Sequence, residues 1–539
     1  MKILALHEIE HSHGTVQLIS DGQQLQHKTG TSIVLVPQPT GDDPNDPLNW
    51  PFAKRVAAYW SVLWLSALCN FCITGLAPGF GQLIEEFEIS LTQVTWLISG
   101  CLLGEFMGCY SVAPFSTRYG KRPLWLICGL FFFVCNIWAA VAKSFSSLLL
   151  ARFFASWASG TSEPLSVGTL HDIFFLHERG TQAGVQAIWL SLGSSLAPPI
   201  CGFLIQDRGW RWYHWLVSIM AGADLILLFF LVPETQYKRD LHSALDVAGV
   251  EENDDMADGQ TESQCKIVES KMGSQAVERL EPQRSAAPGI KPKKTYLEGL
   301  KPWSPVQKDV NLLGSFLRPW ATWCYPSVVW SVLSFSIHVT CVVVLINLIP
   351  VYLGAPPYNF STSQQGLVFL SPCLGNLFGS FFCGYINDKL SQWSTRHNGG
   401  IFEPEMRLPV VAIPALLVPA GLLMFGIGVA HETHWIVPVI GAGLVGVALT
   451  GIGSVIQPYL MDSYAPIIFD CLVTFNGFKN LVSFAVGFAV VPWLELDGVV
   501  AVFVILAVLV VVIDASALLI YLFGKKLRQR DARLRIFLF

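Results

Sequence analysis

Long apolar stretches alternate with short polar connections along this chain, and one charged segment divides the stretches into two groups of six. Between residues 56 and 84, for example, there is no Asp, Glu, Lys or Arg. A helix that crosses a bilayer needs about 20 predominantly apolar residues, and it satisfies its own backbone amides in hydrocarbon. The pattern therefore predicts an all-α membrane protein with twelve transmembrane helices in two pseudo-symmetric six-helix bundles.

The polar breaks set the expected boundaries. The first six helices are predicted at 56–78, 94–114, 123–142, 146–170, 183–205 and 211–232, and the second six at 324–349, 363–386, 408–430, 434–460, 468–492 and 498–523. The predicted domains are an N-terminal tail (1–55), an N-terminal bundle (56–235), a linker (236–318), a C-terminal bundle (319–524) and a C-terminal tail (525–539). The linker is too polar to bury a core, so we expect it to be largely disordered with one short interfacial helix.

Basic residues favour the cytosolic side of a membrane protein, and here they are distributed asymmetrically. The connections on the outer side hold only Lys143, Arg208 and Arg211. Those on the inner side include Lys54, Arg55, Arg118, Lys121, Arg122, Arg179, Lys238, Arg239, Lys389, Arg396 and Arg407. This places both termini and the linker in the cytosol. The plasma membrane is the default location, with the vacuolar membrane as the alternative. Asn359 begins a glycosylation sequon on the outer side, although its loop is short and close to the membrane.

Composition narrows the classes of function. The 539 residues are 52% hydrophobic and 14% charged, whereas a soluble domain carries about 25% charge. A net charge of −5 without a basic stripe gives no indication of nucleic-acid binding. Cys69-x-x-Cys72 has no second pair, so no metal site is expected. The chain has no phosphate loop and no Gly-x-Ser-x-Gly motif, so we expect neither an enzyme nor a cofactor.

Two segments on the predicted cytosolic side resemble each other, namely Arg118-Tyr119-Gly120-Lys121-Arg122 and Gly384-Tyr385-Ile386-Asn387-Asp388-Lys389. Such clusters can cap helix carbonyls and hold a gate by charge-assisted hydrogen bonds; a positive-inside anchor is the alternative. Both segments resemble the G-x-x-x-D-R-x-G-R-R loops of the major facilitator superfamily. Ala113 and Thr117 replace the leading Gly and the Asp in the first copy, and Ser391 replaces the later Gly in the second.

The fifth stretch resembles the antiporter signature G-x-x-x-G-P-x-x-G-G of that superfamily. Gly193, Pro198 and Gly202 match it, and Ala197 and Cys201 are small substitutes for Gly. Small residues let helices approach closely and proline kinks a helix, so this stretch is expected where two bundles rock against each other. A generic packing face is the alternative.

Further segments resemble a fungal branch of the superfamily that is similar to the 12-helix drug:proton antiporters. They are Leu148-x-x-x-Arg152, Asp46-Pro47-Leu48-Asn49-Trp50-Pro51, the loop 172–180, Gly209-Trp210-Arg211-Trp212, Pro233-Glu234-Thr235 and Pro404-Glu405-Met406-Arg407-Leu408. The resemblance covers about residues 46–525 apart from the linker. It implies alternating access around a midplane site, and the branch includes both exporters of toxic compounds and transporters of organic cations.

Six ionisable residues lie inside the predicted helices, where an unpaired charge costs roughly 2.5–3.5 kcal/mol. They are Glu105, Arg152, Glu163, Asp224, Lys479 and Asp514. We expect them to face a cavity, a partner or one another. Arg152 and Glu163 are eleven residues apart, which returns to nearly the same helix face, so both are expected to line one cavity wall.

Glu163 is the first candidate for proton coupling, because a carboxylate in a partly dry cavity can be neutralised by a proton or a cation. A structural partner of a helix-end donor is the alternative. Glu105 and Lys479 are expected to pair across the interface between the bundles in one conformation. Asn347 is expected to supply polar lining in a cavity for a hydrophobic substrate.

The leading hypothesis is a proton-coupled secondary active transporter that exports a hydrophobic or amphipathic small molecule. The alternative is a proton-coupled importer of an organic cation, such as a polyamine, or of another nutrient. The expected partners are the small-molecule substrate, protons and the lipid bilayer. No nucleic-acid partner is expected, and the chain is expected to be a monomer.

Overall fold

The computed structural model describes residues 43–237, 295–303, 306, 311–398, 402–464 and 467–533. The regular elements in these ranges are helices. The expectation of a disordered linker concerns chiefly residues 238–294, which lie outside the described residues, as do most of the N-terminal tail and residues 534–539.

Within the described ranges, twelve helical passes form two groups. The first group is α1 (Phe52–Thr74), α2 (Leu91–Tyr119), α3 (Lys121–Ala140), α4 (Phe145–Gly160 followed by Ser162–Ile173), α5 (Leu176–Arg208) and α6 (Trp210–Leu231). The second group is α7 (Pro326–Gly354), α8 (Leu370–His397), α9 (Ala412–Ala430), α10 (Ile436–Ser463), α11 (Ile468–Asp497) and α12 (Val499–Ala515). The shorter helices are Pro47–Asn49, Ala77–Gly79, Phe80–Phe87, Tyr296–Gly299, Leu312–Ala321, Thr362–Val368, Thr322–Cys324, Pro404–Val411 and Ala517–Arg533.

Eleven of the described helices are long and apolar enough to cross a membrane by themselves. The exception among the twelve passes is α4, which was predicted as one continuous helix and is interrupted at Thr161 into segments of 16 and 12 residues. Pro164 explains the interruption, because it has no N–H to offer the carbonyl of Gly160. That carbonyl instead accepts a hydrogen bond from the Cys109 thiol at 3.0 Å.

The two groups share a pattern of close helix crossings. A Cβ atom placed on Gly108 of α2 would lie 2.2 Å from the Trp157 carbonyl oxygen of α4. In the second group, a Cβ atom on Gly379 of α8 would lie 2.2 Å from the Val447 carbonyl oxygen of α10. Small residues allow backbones in a membrane to approach this closely. The crossing of α8 with α10 therefore corresponds to the crossing of α2 with α4.

Glycine also forms corresponding corners in the two groups. Gly209 connects α5 directly to α6 with a φ of 85°, and Gly498 connects α11 to α12 with a φ of 79°. This left-handed region strains residues that carry a Cβ atom. Gly120, between α2 and α3, has a φ of 88° and forms a third corner of this kind.

The end of the molecule that carries residues 232–237 and 295–303 is called here the linker face. Arg122, at the start of α3, is buried there and donates hydrogen bonds to the carbonyl oxygens of Phe229, Val232, Leu300 and Lys301. A single guanidinium, with its fixed fork of donors, therefore joins the end of α6 to the described end of the linker.

A carboxylate completes this junction. Glu234 accepts hydrogen bonds from the backbone N–H groups of Lys121 and Arg122 at 3.1 and 3.2 Å. These are orphan donors in the first turn of α3, where a helix also favours negative charge. Nearby, the Tyr237 hydroxyl donates to Asp43 at 2.8 Å. The first half therefore holds the chain on both sides of residues 238–294.

The segment Leu312–Ala321 is an amphipathic helix that leads into α7. Leu313 and Leu317 are exposed, whereas Ser315 is buried. The Trp320 ring packs 4.7 Å from the ring of Tyr110 on α2. A short helix with an exposed apolar face at the end of a bundle suits the membrane interface.

Candidate functional site

A buried ion pair joins the two halves near the break in α4. The Lys479 ammonium of α11 lies 2.8 Å from Glu163 Oε2 and donates to Oε1 at 2.9 Å. Their side chains are only 12% and 8% exposed. Glu163 lies in the first turn of the segment Ser162–Ile173, where the helix dipole favours a carboxylate. The interruption at Thr161 therefore begins a second helical segment inside this pass and places an acid in its first turn.

Glu105 of α2 belongs to the same cluster but is not the partner of Lys479. It is buried and accepts a hydrogen bond from the Ser159 hydroxyl at 2.9 Å. It lies close enough to both Glu163 and Lys479 to interact with their charges. The expected pair of Glu105 with Lys479 is absent from this structure, because Glu163 holds the ammonium. The Lys479 ammonium therefore interacts with the charges of two carboxylates, those of Glu163 and Glu105.

Arg152 contacts other helices of the first half. Its guanidinium is buried and donates to the carbonyl oxygens of Leu97 at 3.3 Å and Ile73 at 3.1 Å. It thus ties α4 to α2 and α1 inside the first half, whereas Glu163 reaches the second half. The shared cavity wall stays a prediction, since the structure gives the two side chains different partners.

Asn347 of α7 is fully buried and faces α2 and α11. A Cβ atom on Gly487 of α11 would lie 3.7 Å from Asn347 Nδ2 and 2.9 Å from the Ser99 hydroxyl oxygen of α2. Neither amide atom of Asn347 has a hydrogen-bonding partner among the described residues. Asn347 therefore presents unused donors and an unused acceptor between three helices.

The three residues that match the antiporter signature all lie at close helix contacts. A Cβ atom on Gly193 would lie 2.3 Å from the Ala67 carbonyl oxygen of α1. A Cβ atom on Gly202 would lie 3.0 Å from the Thr362 carbonyl oxygen. A Cβ atom on Gly366 would lie 2.4 Å from the Pro198 carbonyl oxygen. Through Pro198 and Gly202, α5 of the first half thus rests directly on the helix Thr362–Val368 of the second.

A hydrogen bond and a small cavity lie beside this contact. Asn376 of α8 donates to the Ser195 hydroxyl of α5 at 2.8 Å. A cavity of about 40 Å³ adjoins both residues, and its other walls come from α7 and α10. Ligand pockets usually measure about 300–1,000 Å³. A substrate of that size therefore requires the halves to separate at this point.

The predicted gate loops lie at the linker face. In the first loop, Lys121 bonds Asp172 at the end of α4 at 2.7 Å, and the Arg118 guanidinium lies over the Tyr119 ring at 5.8 Å. Gly120 forms the corner described above. The basic residues of this loop thus fasten α3 to the ends of α4 and α6, all within the first half.

The second loop makes weaker contacts. Asp388 lies 3.6 Å from Arg407, which also bonds Asp462 at the end of α10 at 3.1 Å. Lys389 lies over the Tyr385 ring at 5.6 Å. Gly384 has open space where a Cβ atom would be. The Arg407 to Asp462 bond is the counterpart of the Lys121 to Asp172 bond.

Asp514 and Asp224, the other two acids among the six ionisable residues of the predicted helices, lie away from the interface between the halves. Asp514 of α12 accepts from the Ser334 hydroxyl at 2.8 Å and lies 3.3 Å from the His338 ring nitrogen. Asp224 of α6 is buried and has no hydrogen-bonding partner within the described part of the chain. Asn359 is exposed, with a φ of 52°, in the connection between α7 and the helix Thr362–Val368.

Sequence reasoning missed the partners that make these contacts across the interface. Gly366 and Asn376 lie in a long uncharged run in which nothing distinguishes them from packing residues. Ser195 lies inside the signature of the fifth stretch, and its small polar side chain was the available signal. In the described ranges, no group of three or more His, Cys, Asp or Glu residues is placed to hold a metal ion.

Comparison with known proteins accounts for this architecture. A sequence profile described as Major Facilitator Superfamily matches residues 62–492. An uncharacterized MFS-type transporter of Schizosaccharomyces pombe is 25% identical over 97% of this chain and 94% of its own length. The protein HOL1 of Saccharomyces cerevisiae is 27% identical, with 93% and 91% covered. The MFS-type transporter penM of Penicillium rubens is 27% identical, with 86% and 83% covered.

Solved structures share the fold. The proton:xylose symporter XylE superimposes with a TM-score of 0.58 at 14% identity, covering 90% of this chain and 100% of that one. The human organic anion transporter MFSD10 superimposes with a TM-score of 0.55 at 16% identity, covering 87% and 100%. The apolar helices and this fold establish a multi-pass membrane protein.

Proposed function

This chain belongs to the major facilitator superfamily, and we propose that it is a proton-coupled secondary active transporter that exports a hydrophobic or amphipathic small molecule by alternating access. The family resemblance predicted from the loop and signature motifs is confirmed. The observation that carries the proposal is the ion pair of Glu163 with Lys479, which joins the two halves in a buried position.

The coupling step follows from the chemistry of this pair. Protonation neutralises Glu163, so the attraction that holds α4 to α11 is lost and the halves can separate there. When the proton leaves, the pair re-forms and stabilises the joined conformation. A substrate that binds one conformation better shifts the same equilibrium, which couples its movement to that of the proton.

Export is the direction that the resemblance of α5 to the antiporter signature supports, and two of its matched residues, Pro198 and Gly202, lie at the contact between α5 and the helix Thr362–Val368. The proposed orientation places both termini and the linker face in the cytosol, and the proposed location is the plasma membrane. The proposed partners are substrate, protons and lipid, and the protein acts as a monomer without catalysing a chemical reaction.

A second candidate is import of an organic cation. Its support is the environment of Lys479, whose ammonium contacts Glu163, interacts with Glu105 and lies 5.8 Å from the Phe335 ring centroid. Two acids and an aromatic ring form a suitable site for an alkylammonium group of a substrate, once Lys479 moves away.

Washed yeast cells that overexpress the chain distinguish the two candidates. Ethidium serves as a probe that is both amphipathic and cationic, and cells carrying the empty vector are the reference. Export predicts that the cells retain less ethidium than the reference, and import predicts that they retain more. In either case a protonophore is expected to abolish the difference. Equal retention with and without the protein contradicts both candidates for this probe.

A further inference from the structure

One face of α11 carries a stripe of small polar residues. Asn476, Asn480, Ser483 and Gly487 recur at intervals of four, three and four residues, which places them on one side of the helix over about 16 Å. Asn476, Asn480 and Ser483 are buried. Lys479, which pairs with Glu163, lies between Asn476 and Asn480 along the helix, so the ion pair is at the depth of the first residues of the stripe.

The stripe faces polar groups on two other helices. The Ser483 and Thr340 hydroxyl oxygens lie 3.1 Å apart, which joins α11 to α7. Further along, Gly487 packs closely against the hydroxyl of Ser99 on α2 and lies near the amide of Asn347 on α7. Polar groups therefore continue from the ion pair toward the face opposite the linker face.

Several of these groups have unused hydrogen-bonding capacity. Both amide atoms of Asn347 and the Nδ2 atom of Asn480 have no partner among the described residues, although both side chains are almost completely buried. An unpaired buried polar group costs about 1–3 kcal/mol. Unpaired amides and hydroxyls between helices are groups that a water molecule can bridge, since a water needs two to four polar partners.

We propose that this stripe is the proton route of the transporter, in which water hydrogen-bonded to Asn480, Ser483 and Asn347 connects Glu163 with the face opposite the linker face. The inference rests on the proposed proton coupling. Each step breaks one O–H bond and forms the next, and the proton ends on the Glu163 carboxylate in place of the Lys479 ammonium. The charge carried is one proton, and no oxidant or reductant takes part.

The titratable groups around the route gather at one end. Lys479 faces Glu163 from α4, and Glu105 and Cys109 from α2. A His338 ring nitrogen and an Asp514 carboxylate oxygen lie 3.3 Å apart between α7 and α12. The residues of the stripe beyond Asn480 are uncharged. A proton that moves along the route is therefore taken up at its Glu163 end, where the titratable groups lie.

The test compares two readouts in liposomes that contain the purified full-length protein. The first is ethidium movement driven by an imposed proton gradient, and the second is ethidium exchange at equal pH on both sides. Asn480→Leu is expected to lower driven movement at least tenfold and to leave exchange within twofold of the wild type. Asn480→Ser, which keeps a polar group, is expected to retain driven movement. The control Ser66→Ala removes a buried hydroxyl that bonds only within α1 and is expected to change neither readout.

Two outcomes would overturn the proton route: an unchanged driven movement in Asn480→Leu, or an equal loss of driven movement and exchange. If Asn480→Leu does not fold, Ser483→Ala carries the same test further along the stripe. A wild-type protein whose ethidium movement ignores the proton gradient contradicts the proposed function itself. The two failures are therefore distinguishable.

Discussion

The two halves meet through two contacts that are built from different chemistry. Where α5 meets the helix Thr362–Val368, backbones nearly touch at Gly202 and Gly366, and the matched residues carry no charge. Where α4 meets α11, the contact is the buried ion pair of Glu163 with Lys479. Protonation changes the second contact and leaves the first unaffected. We infer that the small-residue contact guides the movement of the halves and that the charged contact decides when they move.

Of the variants that test the two contacts, Glu163→Gln is expected to have the largest effect on transport. It removes the charge that holds Lys479 and makes the contact between α4 and α11 insensitive to protons. Removing one partner of a buried pair costs about 3–5 kcal/mol. Gradient-driven ethidium movement in liposomes should fall at least about tenfold, the equivalent of 1.4 kcal/mol, and should lose its dependence on pH.

The matched control for this change is Glu86→Gln. Glu86 also pairs with a base, Arg211 at 2.7 Å, but both side chains are 40% exposed. Exposed pairs contribute about 0–1 kcal/mol, so transport should stay near the wild-type rate. Normal transport by Glu163→Gln with an unchanged pH profile would contradict the assignment of the charged contact.

Gly366→Ala tests the uncharged contact and is expected to have a smaller effect. The new methyl group would lie 2.4 Å from the Pro198 carbonyl oxygen and push the halves apart. Such overpacking costs about 1–3 kcal/mol. Transport should fall several-fold while its pH profile keeps its shape, and the thermal midpoint of the purified protein should drop.

Gly184→Ala is the control, since a Cβ atom at that position of α5 meets nothing within 4 Å. Alanine also favours a helix over glycine by about 1 kcal/mol. This variant should match or exceed the wild-type thermal midpoint. A shifted pH profile in Gly366→Ala would show that the two contacts are not separate in function.

Ser195→Ala is expected to have the smallest effect. It removes the hydrogen bond with Asn376 at 2.8 Å, beside the uncharged contact. The net contribution of such a bond is about 0.5–1.5 kcal/mol. Transport should stay within about threefold of the wild type, a range that corresponds to about 0.6 kcal/mol. A loss measured in liposomes beyond tenfold would instead indicate that Ser195 binds the transported molecule.

The apolar runs in the sequence predict most of the helices, but they do not predict which helices contact one another. The third helix was predicted at 123–142 and is found at Lys121–Ala140, because a long uncharged run in a membrane has one favourable conformation. The ninth begins later than predicted, at Ala412, because the proline-containing turn Pro404–Val411 precedes it. Boundaries depend on such local chemistry, whereas the existence of a helix depends on the whole run.

The partners in the site could not be read from spacing. Glu163 and Lys479 are separated by 316 positions, and nothing in either segment identifies the other. The sequence predicted that a buried charge needs a cavity or a partner, because the cost of an isolated charge in hydrocarbon is general. It did not predict which acid holds Lys479: Glu163 lies just after the interruption of α4 at Thr161, which apolar periodicity does not detect.

The anchoring of the chain at the linker face has a mechanical consequence. Residues up to Tyr237 are fastened to the first half, and Arg122 fastens Leu300 and Lys301 to the same half. The chain on both sides of residues 238–294 is thus held by one body, so tension applied between Tyr237 and Lys301 cannot pull on the other half. A folded reporter domain inserted within residues 238–294 is expected to leave the rate of ethidium movement unchanged. The same domain inserted between Lys301 and Asn311, before the helix that leads into α7, should slow it.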